Sequence, residues 1–451
     1  MRRPRPYAAY NAAAIAAVWL TSLVTVALWV HGGGVQALTQ GLGPAAKSLG
    51  RLTGFASAQL LLFQVVLMAR IPLFEYGFGR AAMLRVHRQT AIWSVALVGA
   101  HIIFLAAGDS LLAGMNPFTV VWLYIVRYPG VLPATAGTLV LLGVGLTSMR
   151  RARRRLRYEA WHLLHLYGYL GAGIAVPHQL WTGTTFLHHP VATAYWWTLW
   201  GVAFGCVIIW RLVIPVVRSL SHHITVEAVV PDGPHAVIVH MNGRRLTSLR
   251  AEPGQFFVFR FLSGKLWTRG NPFSLCAPVT DGRMTISVHI VGDGTTRIAH
   301  LKRGTRVLVE GPYGTFGASF RPWSPVVMIG AGSGVAPLVS LLSEKQYEPG
   351  QAVLLQRAST SADLMLTRQI KQLAARRGVV PYQFVGSRDH DGWLPQGFPP
   401  DRANYLRSVI PKISAYDAYL CGPSSWIRAV RADLRAAGIP PRHIHTEAFD
   451  V

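Results

Sequence analysis

Acidic residues are scarce in this 451-residue chain: 19 Asp and Glu stand against 44 Lys and Arg, and only 14% of the residues are charged. A formal net charge of +25 on so few charged side chains is not the composition of a nucleic-acid binder, and 51% hydrophobic residues exclude a disordered chain. Cysteine is nearly absent, three in all, which argues against a disulfide framework. Apolar residues are abundant instead, with 14 Trp, 18 Phe and a mean hydropathy of +0.31. The composition points to a protein whose partner is the lipid bilayer.

A bilayer-spanning helix needs about 20 predominantly apolar residues. Six runs of this kind fall near Ala8 to Val30, Leu52 to Ala69, His87 to Ala107, Gly130 to Met149, Trp161 to Leu180 and Val191 to Ile214. They predict an all-α, six-helix transmembrane bundle over residues 1–220. The first run is too long for a cleavable signal peptide and lacks a small-residue cleavage site after it, so it is expected to stay as a span. Past Pro215 the pattern changes to short strands, turns such as Pro231-Asp232-Gly233 and amphipathic helices.

The charges divide in the same place. Residues 1–220 hold 18 Lys and Arg and 3 acidic residues; the remainder holds 26 and 16. Threading six spans from an inside N-terminus puts Arg2, Arg3, Arg5, Arg70, Arg80, Arg85, Arg88, the basic run 150–157, Arg211 and Arg218 on one side. Lys47, Arg51 and Arg127 fall on the other. This is the positive-inside asymmetry, and it predicts a multi-pass plasma-membrane protein with both termini and its whole second half in the cytoplasm. A nucleic-acid or lipid-headgroup patch is the alternative reading of the run 150–157.

Ionisable side chains inside spans are costly and mark function. The third run contains His87 and His101; the fifth contains His162 and His165, with His178 near its outer end. At ~1.5 Å per residue, the step from His87 to His101 is ~21 Å along the axis and that from His165 to His178 is ~20 Å. His87 and His165 can therefore share one depth, and His101 and His178 another. Two neutral imidazoles facing each other at one level are axial ligands of a six-coordinate haem, so two stacked b-type haems are expected. Packing or a proton relay is the competing reading. An ideal helix turns ~220° over 13 residues, so the fifth span is expected to distort near Gly168, Gly171, Gly173 and Pro177, and His162 is the substitute ligand if it does not. His188 and His189, in the last outer loop, are expected to be solvated and stay outside the predicted site.

Residues 221–320 read as antiparallel strands, among them Ile224 to Val230, Ala236 to Met241, Gln255 to Phe261 and Met284 to Ile290, and suggest a β-barrel. From Pro325 the sequence reads strand, glycine-rich turn, helix. Gly330, Gly332 and Gly334 would let a phosphate approach backbone N–H groups, as in a Rossmann-like α/β domain over residues 321–451. An ordinary tight turn explains the same glycines.

Several segments then carry a resemblance. Residues 269–278, Arg-Gly-Asn-Pro-Phe-Ser-Leu-Cys-Ala-Pro, resemble the flavin-binding segment of the ferredoxin–NADP reductase superfamily. Val291-Gly-Asp-Gly-Thr-Thr resembles the diphosphate segment of its NADPH oxidase and ferric reductase branch, and Glu310-Gly-Pro-Tyr-Gly resembles its domain hinge. Cys421-Gly-Pro and Glu447-Ala-Phe449 follow in order. Tyr158-Glu159-Ala-Trp161 with His165 and His178, and His87-Arg88 with His101, are similar to the membrane domain of the same family.

The resemblance implies roles for single residues. Pro272, Phe273 and Ser274 would line FAD, with the Ser274 hydroxyl near the hydride-accepting nitrogen; Thr295 and Thr296 would bind its diphosphate. Gly330, Gly332 and Gly334 would hold the nicotinamide nucleotide, with Cys421 and Gly422 near its reactive ring, and Phe449 would stack on the flavin. A β-bulge with a packed Phe is the alternative at 272–274, and a hydrophobic plug at Phe449. Arg357 and Arg388 could read a ribose 2′-phosphate, favouring NADPH over NADH. Asn271 stands where the family usually has His or Arg, and Leu105 where oxygen-reducing members often carry a further His. The implied activity passes electrons from NADPH through FAD and two haems to an extracytoplasmic acceptor, ferric chelates first. Superoxide production from oxygen is the alternative, and a non-catalytic haem-binding sensor or assembly subunit the second alternative.

Overall fold

The computed structural model describes residues 5–156, 158–187, 189–389 and 392–449. Arg2, Arg3 and Arg157 of the charge pattern, and His188, lie outside them. The chain forms two compact units that meet between Val213 and Ile214.

The first unit is helical, with α1 (Arg5–His31), α2 (Leu42–Met68), α3 (Arg80–Ala113), α4 (Val131–Ser148), α5 (Tyr158–Trp181) and α6 (Pro190–Ile208) as its long elements. Gly79 (φ 76°) precedes α3 and Gly114 (φ 65°) ends it, both in backbone regions that favour glycine. Pro190 opens α6, where its missing N–H costs nothing. α6 continues through a π turn, Ile209–Val213, into the helix Ile214–His222.

Among the described residues, five segments are long and apolar enough to cross a membrane: Ala9–His31, Leu42–Met68, Ala82–Ala113, Val131–Ser148 and Pro190–His222. The expected sixth, α5, has 24 residues, enough for about 36 Å. It is not among the five, because three histidines and Pro177 dilute its apolar content. Trp19, Leu20, Trp93, Ile103, Leu139 and Leu163 are exposed on these helices, an arrangement suited to lipid rather than water.

Small residues let the helices approach closely. A Cβ on Gly50 would lie 2.8 Å from the Leu105 side chain, and one on Gly137 would lie 2.6 Å from the Gly171 carbonyl oxygen. Ser57 Oγ donates to the Ser94 carbonyl at 2.8 Å, joining α2 to α3. In lipid, where apolar burial does not drive association, such contacts hold helices together.

The second unit begins with β1 (Thr225–Pro231), β2 (Ala236–Asn242), β3 (Phe256–Phe261), β4 (Asn271–Ser274), β5 (Arg283–His289) and β6 (Val307–Tyr313). These strands form two three-stranded antiparallel sheets, β1-β2-β5 and β4-β3-β6, around a core that includes Met241, Phe257, Phe259 and Ile286. Isolated bridges at Thr225–Arg306 and Leu275–Ile286 link them. The single barrel read from the sequence is thus two sheets, interrupted by register shifts near Val226 and Phe256 and by Pro272, which has no N–H to give.

The chain then builds a parallel sheet from β7 (Val326–Ala331), β8 (Ala352–Ala358), β9 (Val380–Val385), β10 (Asp417–Gly422) and β11 (Ile444–Ala448), in the order β11-β10-β7-β8-β9. Every residue of β8 and β10 is buried, as strands covered on both faces require. The order reverses between β7 and β10, and ligands of open α/β sheets bind beyond the carboxyl ends of strands at such a switch point. Ala236, Ile238 and Cys276 pack into the same core as Met328, Val335 and Tyr419, so the antiparallel and parallel parts share one interior.

Candidate functional site

The switch point carries the glycine turn. Gly332 adopts φ +54° with open space where a Cβ would stand, so a ligand can reach its backbone. A Cβ on Gly334 would lie 2.1 Å from the Cys421 carbonyl oxygen and 3.1 Å from the Phe449 ring, so glycine alone lets the turn rest on the end of β10. Gly330 ends β7 against Val335 and Leu338. The Phe449 N–H donates to the Gly422 carbonyl at 3.2 Å. Gly334, Cys421, Gly422 and Phe449 therefore meet in one place. Cys421 is 1% exposed; burial first, then the charge of Glu447, pushes its thiol well above the usual range, and it packs as a neutral group.

Arg357 differs from its expected role. It is 5% exposed, with Nη2 donating to the Gly386 carbonyl at 2.7 Å, Nε to Trp393 at 3.2 Å, and Nη1 to the carbonyls of Phe384 and Ala358. A guanidinium enclosed by carbonyls braces the strand ends instead of reading a phosphate. Burial, then the charge of nearby Arg388, lowers its pKa. Arg388 is exposed and uses Nε to hold the Gly392 carbonyl at 2.7 Å.

Pro272, Phe273 and Ser274 lie on β4 opposite Val258, Phe257 and Phe256. Pro272 is exposed, while Phe273 and Ser274 are half-buried. Two residues on, Cys276 enters the core shared with Val335 and Cys421, and β5 touches the turn Gly332–Gly334. Residues 272–276 thus lead into the turn Gly332–Gly334. Burial above all pushes the Cys276 thiol up to about 12.

Asn271 is 7% exposed and donates from Nδ2 to the Arg269 carbonyl at 3.1 Å and the Phe259 carbonyl at 3.4 Å. It braces the segment, next to Arg269. The Arg269 Nη1 lies 3.0 Å from where a Cβ of Gly294 would be, directly against the segment 291–296. There Thr295 Oγ1 accepts from the N–H groups of Val291 and Gly292 at 3.0 and 3.2 Å, and Thr296 Oγ1 donates to the Gly292 carbonyl at 3.0 Å. An open pocket of about 320 Å³ adjoins Thr296, lined also by Ser263, Leu266 and His300.

In the helical unit, the rings of His87 on α3 and His165 on α5 face each other with centroids 6.0 Å apart. Two metal–imidazole bonds of about 2 Å, with roughly 1 Å from each nitrogen to its ring centre, sum to about 6 Å. The spacing fits one iron between them. His165, not His162, is the ring that faces His87. At the other level His178 lies within electrostatic range of His101. α5 is helical throughout with Pro177 inside it.

The Nδ1 atoms are directed at the protein. His101 Nδ1 lies 2.7 Å from the Gly50 carbonyl, His165 Nδ1 3.1 Å from Ser148 Oγ, and His178 Nδ1 against the Ala175 carbonyl. The buried Nδ1 of His87 has no hydrogen-bond partner, and the Gln64 backbone lies beside its ring. Metal-bound histidines commonly fix one nitrogen in this way and offer the other. A Cβ on Gly54 would lie 2.5 Å from His101 Nδ1, so the notch that admits this ring depends on glycine. Trp161 stacks on His165 at 5.1 Å and donates from Nε1 to Ser148 Oγ at 3.3 Å.

Ser148, Gly54 and Arg269 escaped the sequence reading. The glycines of α2 at helical spacing were a signal for the first pair of helices; Ser148 and Arg269 act across turns that no local pattern reveals.

Residues 53–176 match the family model of the ferric reductase like transmembrane component, and residues 328–432 match that of the oxidoreductase NAD-binding domain. The ferredoxin reductase component of 3-ketosteroid-9-alpha-monooxygenase from Mycolicibacterium smegmatis is 30% identical over 208 residues, covering 45% of this chain and 56% of that protein. The ferredoxin–NAD(P)(+) reductase component of the naphthalene 1,2-dioxygenase system from Pseudomonas putida is 26% identical over 234 residues, 50% of this chain and 68% of that one. The chain spans little more than half of the first relative's length. Among solved structures, the flavohem-like FAD/NAD-binding domain of nitric oxide dioxygenase from Vibrio cholerae O1 biovar El Tor is 18% identical with a TM-score of 0.41, over 51% of this chain and 99% of that one. The two matches together correspond to the fused architecture of ferric reductases and NADPH oxidases, a ferric-reductase-like transmembrane component joined to an FAD/NAD-binding oxidoreductase module.

Proposed function

We propose that this protein is a plasma-membrane oxidoreductase that carries electrons from cytoplasmic NADPH, by way of FAD and two bis-histidine haems, to an extracytoplasmic acceptor, with ferric chelates the first choice. The observation that carries this reading is the facing pair His87 and His165, 6.0 Å between ring centres, with His178 within electrostatic range of His101 on the same two helices, in a chain that also holds the nucleotide fold. Bound there, flavin exchanges a hydride for single electrons and haem carries electrons singly.

The protein's own residues hold and orient. Gly332 opens the switch point to the nicotinamide nucleotide, and Gly334 lets the turn rest on the end of β10. Exposed Arg388 favours a 2′-phosphate, and Phe449 covers the place where flavin and nicotinamide would stack. Pro272, Phe273 and Ser274 supply the flavin edge, with Thr295, Thr296 and Arg269 at its diphosphate. His87 and His165, then His101 and His178, supply iron ligands through Nε2. No side chain has to act as a nucleophile or general base.

Leu105 separates the two acceptor readings. It stands one turn beyond His101 and packs on Gly50, so the space there is apolar where oxygen reduction would use a polar group. The test is NADPH oxidation by the purified full-length protein with its haem and flavin counted. Two haems and one FAD per chain, with haem bands reduced by NADPH and rates that follow ferric chelate, are expected. A superoxide yield equal to NADPH consumed would remove the ferric assignment, and haem bands untouched by NADPH would remove the enzyme.

A further inference from the structure

The reductase reading leaves open where an acceptor docks. α1 ends at His31, and His189 stands immediately before α6 at the same end of the helical unit. Their rings lie 5.4 Å apart between centroids with planes at 65°, and both residues are exposed.

The surroundings hold this pair in place. Arg51 on α2 donates from Nη1 and Nη2 to the Gly32 carbonyl, at 3.2 Å each, and from Nη2 to Thr185 Oγ1 at 2.8 Å. One side chain thus ties the residue after His31 to the segment that leads into His189. Trp29 Nε1 donates to the Ser48 carbonyl at 3.1 Å, and Ser48 Oγ to the Gly34 carbonyl at 2.6 Å, fastening the end of α1 to α2. Arg51 follows Gly50, whose carbonyl meets His101 Nδ1 at 2.7 Å. The exposed pair is therefore connected through short contacts to the outer ligand pair.

Two imidazoles sharing one ion through bonds of about 2 Å, at an angle near tetrahedral, place their ring centres roughly 5 to 6 Å apart. The observed spacing suits one ion. Imidazole selects iron, copper, nickel and zinc over magnesium or calcium. Among the described residues no third His, Cys, Asp or Glu completes a cluster. Such a site holds its ion loosely and leaves coordination positions for water or a chelator, as a substrate ion requires and a resident one does not.

We infer that His31 and His189 form the docking site of the electron acceptor, a reducible transition-metal ion such as iron(III) or copper(II), held through imidazole with its remaining ligands from water or its own chelator. The inference rests on the reductase reading for its use and on the ring geometry for its existence. Each ion takes one electron, so one NADPH serves two ions and leaves NADP⁺ and one proton.

The test uses the full-length protein with redox-silent zinc(II) as the binding probe, followed by titration calorimetry. One site present in the native protein is expected to weaken at least tenfold in His31→Gln and in His189→Gln. The His31→Cys/His189→Cys double variant, which offers two thiolates in the same place, should restore it. In turnover, either Gln variant should raise KM for copper(II) at least tenfold with a much smaller change in kcat. Zinc affinity equal to the native protein in both Gln variants would overturn the inference and leave the reductase reading standing. Zinc binding lost in both, in a protein that reduces no metal ion, would keep the metal site and overturn its use by a reductase.

Discussion

Buried polar groups are satisfied differently in the two units. In the helical unit three of the four paired histidines place Nδ1 against a carbonyl or hydroxyl. In the second unit Asp417, 1% exposed, is met by Arg321 through hydrogen bonds of 2.7 and 2.8 Å and by His443 at 3.1 Å. Arg357 is likewise enclosed by carbonyls. Ser287 Oγ, Ser340 Oγ and Gln369 Oε1 stay buried there without a partner, and open space comes from the side chain that glycine lacks at Gly332.

The comparison breaks most visibly at the histidines. His101→Ala or His178→Ala should lower the haem count from two per chain to one while flavin reduction by NADPH continues; two haems retained in either variant would refute the ligand assignment. A smaller effect is expected at the flavin segment, where Arg269→Ala should weaken FAD binding about tenfold, or about 1.4 kcal/mol. Asn271→Ala should instead lower thermal stability, because its amide braces backbone carbonyls. Fluorescence titration of FAD against both variants distinguishes charge from bracing.

The smallest effect lies where the antiparallel and parallel parts meet. His235 and Thr360 donate hydrogen bonds to Asp363 at 2.8 and 2.7 Å, with His289 at 3.6 Å, and these bonds, that from His235 foremost, hold its carboxyl down to about 2. An unfolded aspartate titrates near 4, so this stabilisation is fully present above about pH 4 and disappears as the pH falls through about 2. Lying near solvent, it is worth about 1 kcal/mol. Asp363→Asn should cost that much at pH 7 and flatten the stability curve between those limits, as denaturant titrations at several pH values would show.

The spans were legible because lipid demands long apolar runs, and α5 departs in composition because its polar residues meet other helices, His165 beside Ser148 and Gln179 accepting from Trp196. The β7 turn was legible because phosphate approach needs glycine at close spacing. Arg357 was misread because position after a strand says nothing of which carbonyls surround a side chain. The contact of Arg269 with Gly294 and the pairing of His31 with His189 join residues distant in sequence, and no periodicity encodes them. The strands of the second unit were legible by alternation, but their division into two sheets follows from local register shifts.

The two buried thiols of the second unit have a chemical consequence. Alkylation and oxidation of cysteine both proceed through the thiolate, and with Cys276 pushed up to about 12 and Cys421 higher than usual, both enclosed in one core, that species is scarce at neutral pH. Peroxide or other partly reduced oxygen formed by stray electrons would find no ready sulfur there. Enclosure in that core is what keeps both sulfurs inert.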